Sequence, residues 1–207
     1  MSLKGSKTTT YSLDWDTIVN LESRLIESFK QLGTSNEAQA LLIVSIGTRL
    51  GLRVIDNLTL KWGDLAFLQP GERFIRIEQK TGKQRILVMS TKLFEVIRLV
   101  SEVIKPNPNN FIFISQKSGL EKHMSIQTFN KKLKNIMEVY GIRYIGNCSS
   151  HLLRKSWIIG AIKKGFDNGD HLSLIKVSRL VGHSNLNTTL KYTNFETSTA
   201  LGLFELD

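Results

Sequence analysis

His151-Leu152-Leu153-Arg154, Gly182-His183 and then Tyr192, nine residues after that histidine, follow one another in the last third of the chain, and Gly51-Leu52-Arg53 stands far upstream. These residue types make a phosphate-binding set with a phenol beside it. Two guanidiniums can chelate non-bridging phosphate oxygens through planar, paired hydrogen bonds, and they stay charged at any working pH. An imidazole adds a further donor, or moves a proton near neutrality. A tyrosine oxygen can attack phosphorus and hold the fragment as a covalent ester. Together they could transfer a phosphodiester to a protein hydroxyl without a metal.

The pieces are unequal in specificity, so their joint order carries the reading. A His-x-x-Arg alone is common, and a lone Gly-His means little. Taken singly, Arg53 reads as a helix-end arginine, His151 as a helix-start residue after Ser149-Ser150, and His183 as the residue following a helix cap. Yet the chain has only four histidines, and two of them fall inside the set.

In this order the segments resemble the tyrosine recombinases, or phage-type integrases, in their C-terminal catalytic domain, over residues 41–192. The first matching box runs from Gly47 through Gly51-Leu52-Arg53 and Asp56 to Trp62-Gly63-Asp64, with Arg53 and Asp56 at the family's arginine and acidic positions. The second is His151-Leu152-Leu153-Arg154. The third is Leu180-Val181-Gly182-His183 through the paired Thr188-Thr189 to Tyr192. Between the first two boxes the family places a lysine in a β-hairpin, and Gln79-Lys80-Thr81-Gly82-Lys83-Gln84-Arg85 resembles that turn. Lys80 is the better match, with Lys83 its rival. Leu152, Lys155 and Thr193-Asn194 depart from the commoner family residues, but none replaces a reacting group.

The resemblance implies that Tyr192 is the nucleophile, that Arg53 and Arg154 neutralise the phosphate, and that His183 adds a donor. Lys80 would protonate the leaving 5′ oxygen, His151 would assist proton movement at the nucleophile, and Asp56 would buttress. It implies no cofactor and no metal. The expected partner is double-stranded DNA, gripped by a C-shaped clamp whose other side is a separate N-terminal domain. A monomer when free and a homotetramer on DNA are expected; with no room for that other domain, the chain reads as a catalytic fragment or a minimal recombinase. Two other readings stay open: a type IB topoisomerase using the same groups, and a non-catalytic DNA-binding regulator.

Composition is compatible with this. The 207 residues are 41% hydrophobic, enough for one sizeable core, and the net charge is +10. A sequence pI near 9.8 favours polyanions through counterion release, although many basic proteins merely have solvated basic faces. Lys83, Arg85, Lys131, Lys132 and Lys134 are the candidate phosphate contacts. The single cysteine, Cys148, excludes an internal disulfide and suits a reducing interior. No apolar run is long enough for a membrane span, so a cytoplasmic, nucleoid-associated location is expected.

The elements that must position these groups are mainly helical with a small antiparallel sheet, an α+β class. Residues 1–10 read as a leader or disordered tail, 11–207 as a single catalytic domain, and 194–207 as a tail whose Leu201, Leu203 and Phe204 suit packing on a neighbouring protomer. Helical periodicity covers 14–32, with Ser12 or Asp14 as cap, and a largely buried helix starts at Ser35 and is broken by Gly51. A short helix is expected over 56–62. Three short strands follow, over 65–67, 74–78 and 85–88, the last two joined by the Lys80 turn. Helices over 91–104, 125–140, 151–164, 172–181 and 186–192 complete the reading, with 111–114 a short buried run.

Overall fold

The computed structural model describes residues 11–115, 119–183 and 185–193; the expected leader 1–10 and tail 194–207 lie outside the described residues. Helix α1 (Trp15–Leu32) starts where the Asp14 side chain accepts from the backbone N–H groups of Asp16 and Thr17, and it ends at Gly33, φ 61°. Its apolar stripe of Ile18, Leu21, Leu25 and Phe29 is buried against α2 (Ser35–Arg49). From Leu41 to Thr48 every residue of α2 is buried. This is the all-round apolar pattern of a central helix, and α1, α4 (Thr91–Ile104), α5 (Ile126–Val139) and α6 (Ser150–Asp167) pack around it.

After α2 the chain turns at Gly51 and enters the short α3 (Val54–Leu58), with Arg53 at its N-cap. The expected helix over 56–62 is therefore shorter and starts earlier, and a 3₁₀ turn, Trp62–Asp64, follows it. The strand expected over 65–67 does not form. Leu65 and Ala66 both donate their N–H groups to the Trp62 carbonyl, while the Asp64 carboxylate accepts from the Lys61 N–H, so a helical turn uses the groups a strand would need.

The sheet beside α3 thus has two strands, β1 (Arg73–Ile77) and β2 (Gln84–Val88), antiparallel with Ile75 opposite Ile86 and Arg76 opposite Arg85. Period-two alternation sends Phe74, Arg76, Arg85 and Leu87 inward and exposes Ile75, Ile77, Ile86 and Val88. A second hairpin pairs β3 (Ile114–Ser115) with β4 (Gly119–His123), the latter unforeseen from its polar sequence. Helices α7 (Ser173–Leu180) and α8 (Leu186–Thr193) pack on α6, where Ile158, Ile162, Val177 and Val181 form a second small core. The class is mainly α with a small antiparallel sheet, as expected.

Candidate active site

The Arg154 side chain ties the three sequence boxes together. It rises from α6 in the row His151, Arg154, Trp157, three residues apart and on one helix face. The residue is only 6% exposed; its Nη1 donates to the Gly51 carbonyl at 2.6 Å and its Nη2 to the Val181 carbonyl at 2.8 Å. One guanidinium therefore fixes both the corner before Arg53 and the corner before His183. These two bonds use two of five N–H donors.

Gly51 is required at its corner for two reasons. Its φ is +59°, and a Cβ there would fall 2.5 Å from Trp157 Cε3 on α6. Arg53 follows, its side chain 23% exposed, with Nη1 2.6 Å from Glu78 Oε2. Gly182, φ +67°, closes α7 and turns the chain toward His183. Nδ1 of His183 lies 2.8 Å from the Thr189 hydroxyl on α8.

The charges explain the state of the imidazoles. Burial, then the neighbouring Arg154, Arg53 and Arg85 charges, lower the His183 pKa to about 4, so at neutral pH it is an uncharged hydrogen-bonding group. His151 stands exposed on the first turn of α6, yet the desolvation that remains there, with the Arg154 and Lys155 charges, lowers its pKa also. A neutral imidazole suits accepting a proton.

Lys80 and Lys83 are both exposed on the β1–β2 turn. The turn itself is pinned: Asp56, fully buried, accepts from the Gln79 N–H at 2.8 Å. Tyr192 belongs to α8, three residues after Thr189, and its side chain lies outside the described residues. Arg53, Arg154 and His183 are thus brought together, while Lys80 and His151 are exposed. Among the described residues, no three His, Cys, Asp or Glu side chains gather as metal ligands. None of the described helices is long and apolar enough to cross a membrane.

Arg85 requires correction. Expected as a DNA-facing cation, it lies on the inward side of β2, 7% exposed, with Nη1 3.0 Å from Glu78 Oε1. Sequence reasoning also missed Glu78, and the signal was available: the inward set 74, 76 of β1 continues to 78 just past the strand, placing a carboxylate on the same face as Arg85. Burial pushes the Glu78 carboxyl up, but hydrogen bonds from Thr81, Arg53 and Arg85 outweigh it and hold the pKa at about 2.

The phage integrase family model matches residues 19–198 of this chain. Among curated proteins, the TnP I resolvase of Bacillus thuringiensis is 29% identical over 163 residues, covering 77% of this chain and 51% of that protein. A tyrosine recombinase XerD of Listeria innocua is 32% identical over 163 residues, covering 75% of this chain and 49% of the relative. This chain spans about half the length of the curated relatives it matches. Among solved structures, the XerH site-specific recombinase bound to palindromic difH substrate superposes with TM-score 0.67 at 22% identity, covering 100% of this chain and 55% of that one. The catalytic domain of bacteriophage HP1 integrase superposes with TM-score 0.57 at 18% identity, covering 96% of both chains.

Proposed function

Because this chain belongs to the phage integrase family, we propose that it is the catalytic unit of a site-specific DNA recombinase that cuts and rejoins DNA through a 3′-phosphotyrosyl intermediate. The observation that carries the reading is the pair of bonds from Arg154 to the Gly51 and Val181 carbonyls. They support it by tying the corner before Arg53 to the corner before His183, whose ring meets Thr189 on α8, the helix of Tyr192.

The steps follow from charge and protons. The phenol, with an ordinary pKa of about 10, is neutral at working pH, so its proton must leave as it attacks phosphorus. His151 takes that proton. Arg53 and Arg154 stabilise the charge that builds on the non-bridging oxygens, and His183 contributes a hydrogen bond without a charge. The bond from phosphorus to the 5′ oxygen breaks, and Lys80 protonates that oxygen. The ester energy is retained in the tyrosyl phosphate, so a different 5′ hydroxyl can reverse the step and exchange strands without ATP or metal.

The partner is double-stranded DNA, with Lys83, Lys131, Lys132 and Lys134 as phosphate contacts around the site. Strand exchange needs two duplexes and paired cuts, which a homotetramer assembled on DNA from free monomers would supply. An N-terminal DNA-binding domain would hold the opposite side of each duplex.

The test is to mix the chain with supercoiled DNA in EDTA and look for a protein–DNA adduct on a denaturing gel, beside Tyr192→Phe. An adduct that forms in EDTA and vanishes in the variant is expected. Binding with no adduct would overturn the reading in favour of a passive DNA-binding protein, and cleavage that needs magnesium would overturn the chemistry.

A further inference from the structure

We propose that Glu78 is a positioning residue that sets Arg53 and the Lys80 turn in register on one scissile phosphate, an inference that rests on the function proposed above. The Glu78 carboxylate is 1% exposed and touches each part that must converge. Oε2 is 2.6 Å from Arg53 Nη1 and accepts from the Thr81 hydroxyl at 2.6 Å, one residue beyond Lys80. Oε1 accepts from Arg85 at 3.0 Å. A Cβ on Gly182, next to His183, would lie 3.5 Å from the same carboxylate. The Glu78 backbone closes the turn as well, its N–H donating to the Lys83 carbonyl and its carbonyl accepting from the Gly82 N–H. With Asp56 holding Gln79, the lysine is flanked by two carboxylates bound to the turn, and one of them also holds the arginine.

This arrangement has a physical consequence that a packing role lacks. An anion beside Arg53 weakens the attraction of that corner for DNA, yet an ion pair 2.6 Å from Nη1 restricts where the guanidinium can stand. Removing the charge should therefore leave DNA binding unchanged or tighter while cleavage slows. The bland alternative is that Glu78 serves only as the counterion of Arg85, since a buried arginine without a partner is costly.

The experiment uses the whole chain and a duplex drawn from a random-sequence pool by covalent capture on the wild type. That duplex is made once with an ordinary phosphodiester and once with sulfur replacing the bridging 5′ oxygen at the cut. A thiolate leaves without a general acid, so the sulfur duplex removes the need for Lys80 but not for Arg53. For Glu78→Gln, single-turnover cleavage of the oxygen duplex is expected to fall by about 10-fold or more, the scale of a misplaced acid or clamp, with no loss of binding. Cleavage of the sulfur duplex should recover only in part, because both groups are displaced. The double variant Glu78→Gln, Arg85→Met relieves the buried arginine and guards against simple misfolding; it is expected to melt higher than the single variant and remain slow.

Wild-type rates for Glu78→Gln on both duplexes, or recovery of cleavage in the double variant, would overturn the inference and leave Glu78 as a counterion. Failure of the wild type to capture any duplex from the pool would instead overturn the proposed function, and this inference with it.

Discussion

The Thr189 hydroxyl, on a residue with no solvent exposure, lies 2.8 Å from Nδ1 of His183. Since the His183 pKa is lowered to about 4, the ring is neutral when the site works, and a neutral imidazole has one donor nitrogen and one acceptor. A hydroxyl that donates to Nδ1 leaves the ring proton on Nε2. With Thr189 as the donor, the second of the paired threonines before Tyr192 keeps Nε2 as the nitrogen that can donate to phosphate. Thr189→Val should slow adduct formation about 10-fold, the scale of losing one hydrogen bond that orients His183, while Thr189→Ser should remain close to wild type. Single-turnover cleavage with a thermal melt on each variant checks this; a Val variant that cleaves as fast as the Ser variant would refute it.

Gly51→Ala should cost stability and activity together. An alanine there must hold φ near +59° and place its Cβ 2.5 Å from Trp157. The backbone strain alone is worth on the order of 1–3 kcal/mol, and relief of the clash would move the carbonyl that Arg154 binds. Chemical denaturation should show a lower midpoint, and residual folded protein should cleave poorly. An unchanged midpoint would show that the corner is looser than its geometry implies.

Acid sensitivity should arise from two groups in separate windows. Both Glu78 and His183 have folded pKa values below their ordinary ones, from 4.5 to about 2 and from 6.5 to about 4 respectively. In each window the unfolded chain binds more protons than the folded one, so stability rises with pH and is lost as pH falls. His183 contributes this slope between about pH 4 and 6.5, and Glu78 between about pH 2 and 4.5. Urea midpoints measured across pH should therefore flatten in the upper window for His183→Gln and in the lower one for Glu78→Gln. An unaltered slope in either variant would contradict the stated environment of that group.

The parts of the fold legible in the sequence were those decided locally. Asp14, expected with Ser12 as a cap, accepts from the backbone N–H groups of Asp16 and Thr17 at the start of α1, and such a cap is visible one residue at a time. The missed features depend on partners distant in sequence or on competing local bonds. Leu65-Ala66-Phe67 reads as a strand by apolar content, but bonds back to the Trp62 carbonyl take the Leu65 and Ala66 N–H groups. Strand β4 forms because it pairs with β3, with Ile114 opposite His123. Order and spacing single out Arg53, Arg154 and His183 in the sequence, and the bonds from Arg154 to the Gly51 and Val181 carbonyls join the corners next to the other two. Arg85 was misassigned because a basic residue near a turn looks solvated until the strand register points it at Glu78.

The lysines of α5 should separate by exposure in their effect on DNA. Lys131 is exposed on that helix, Lys132 is half-buried beside Asn135 and Tyr140, and Lys134 shares its charge with Glu138 at 3.7 Å. Each phosphate contact releases close to one counterion, so losing one should reduce the slope of log affinity against log salt by about 0.9. Lys131→Ala is expected to show that change, and Lys134→Ala a smaller one, because its ammonium already has an acidic neighbour. Neither should alter the single-turnover cleavage rate at saturating protein, since phosphate contacts away from the cut position the duplex without entering the chemistry. Equal salt slopes for wild type and Lys131→Ala would move the DNA track off this face of α5.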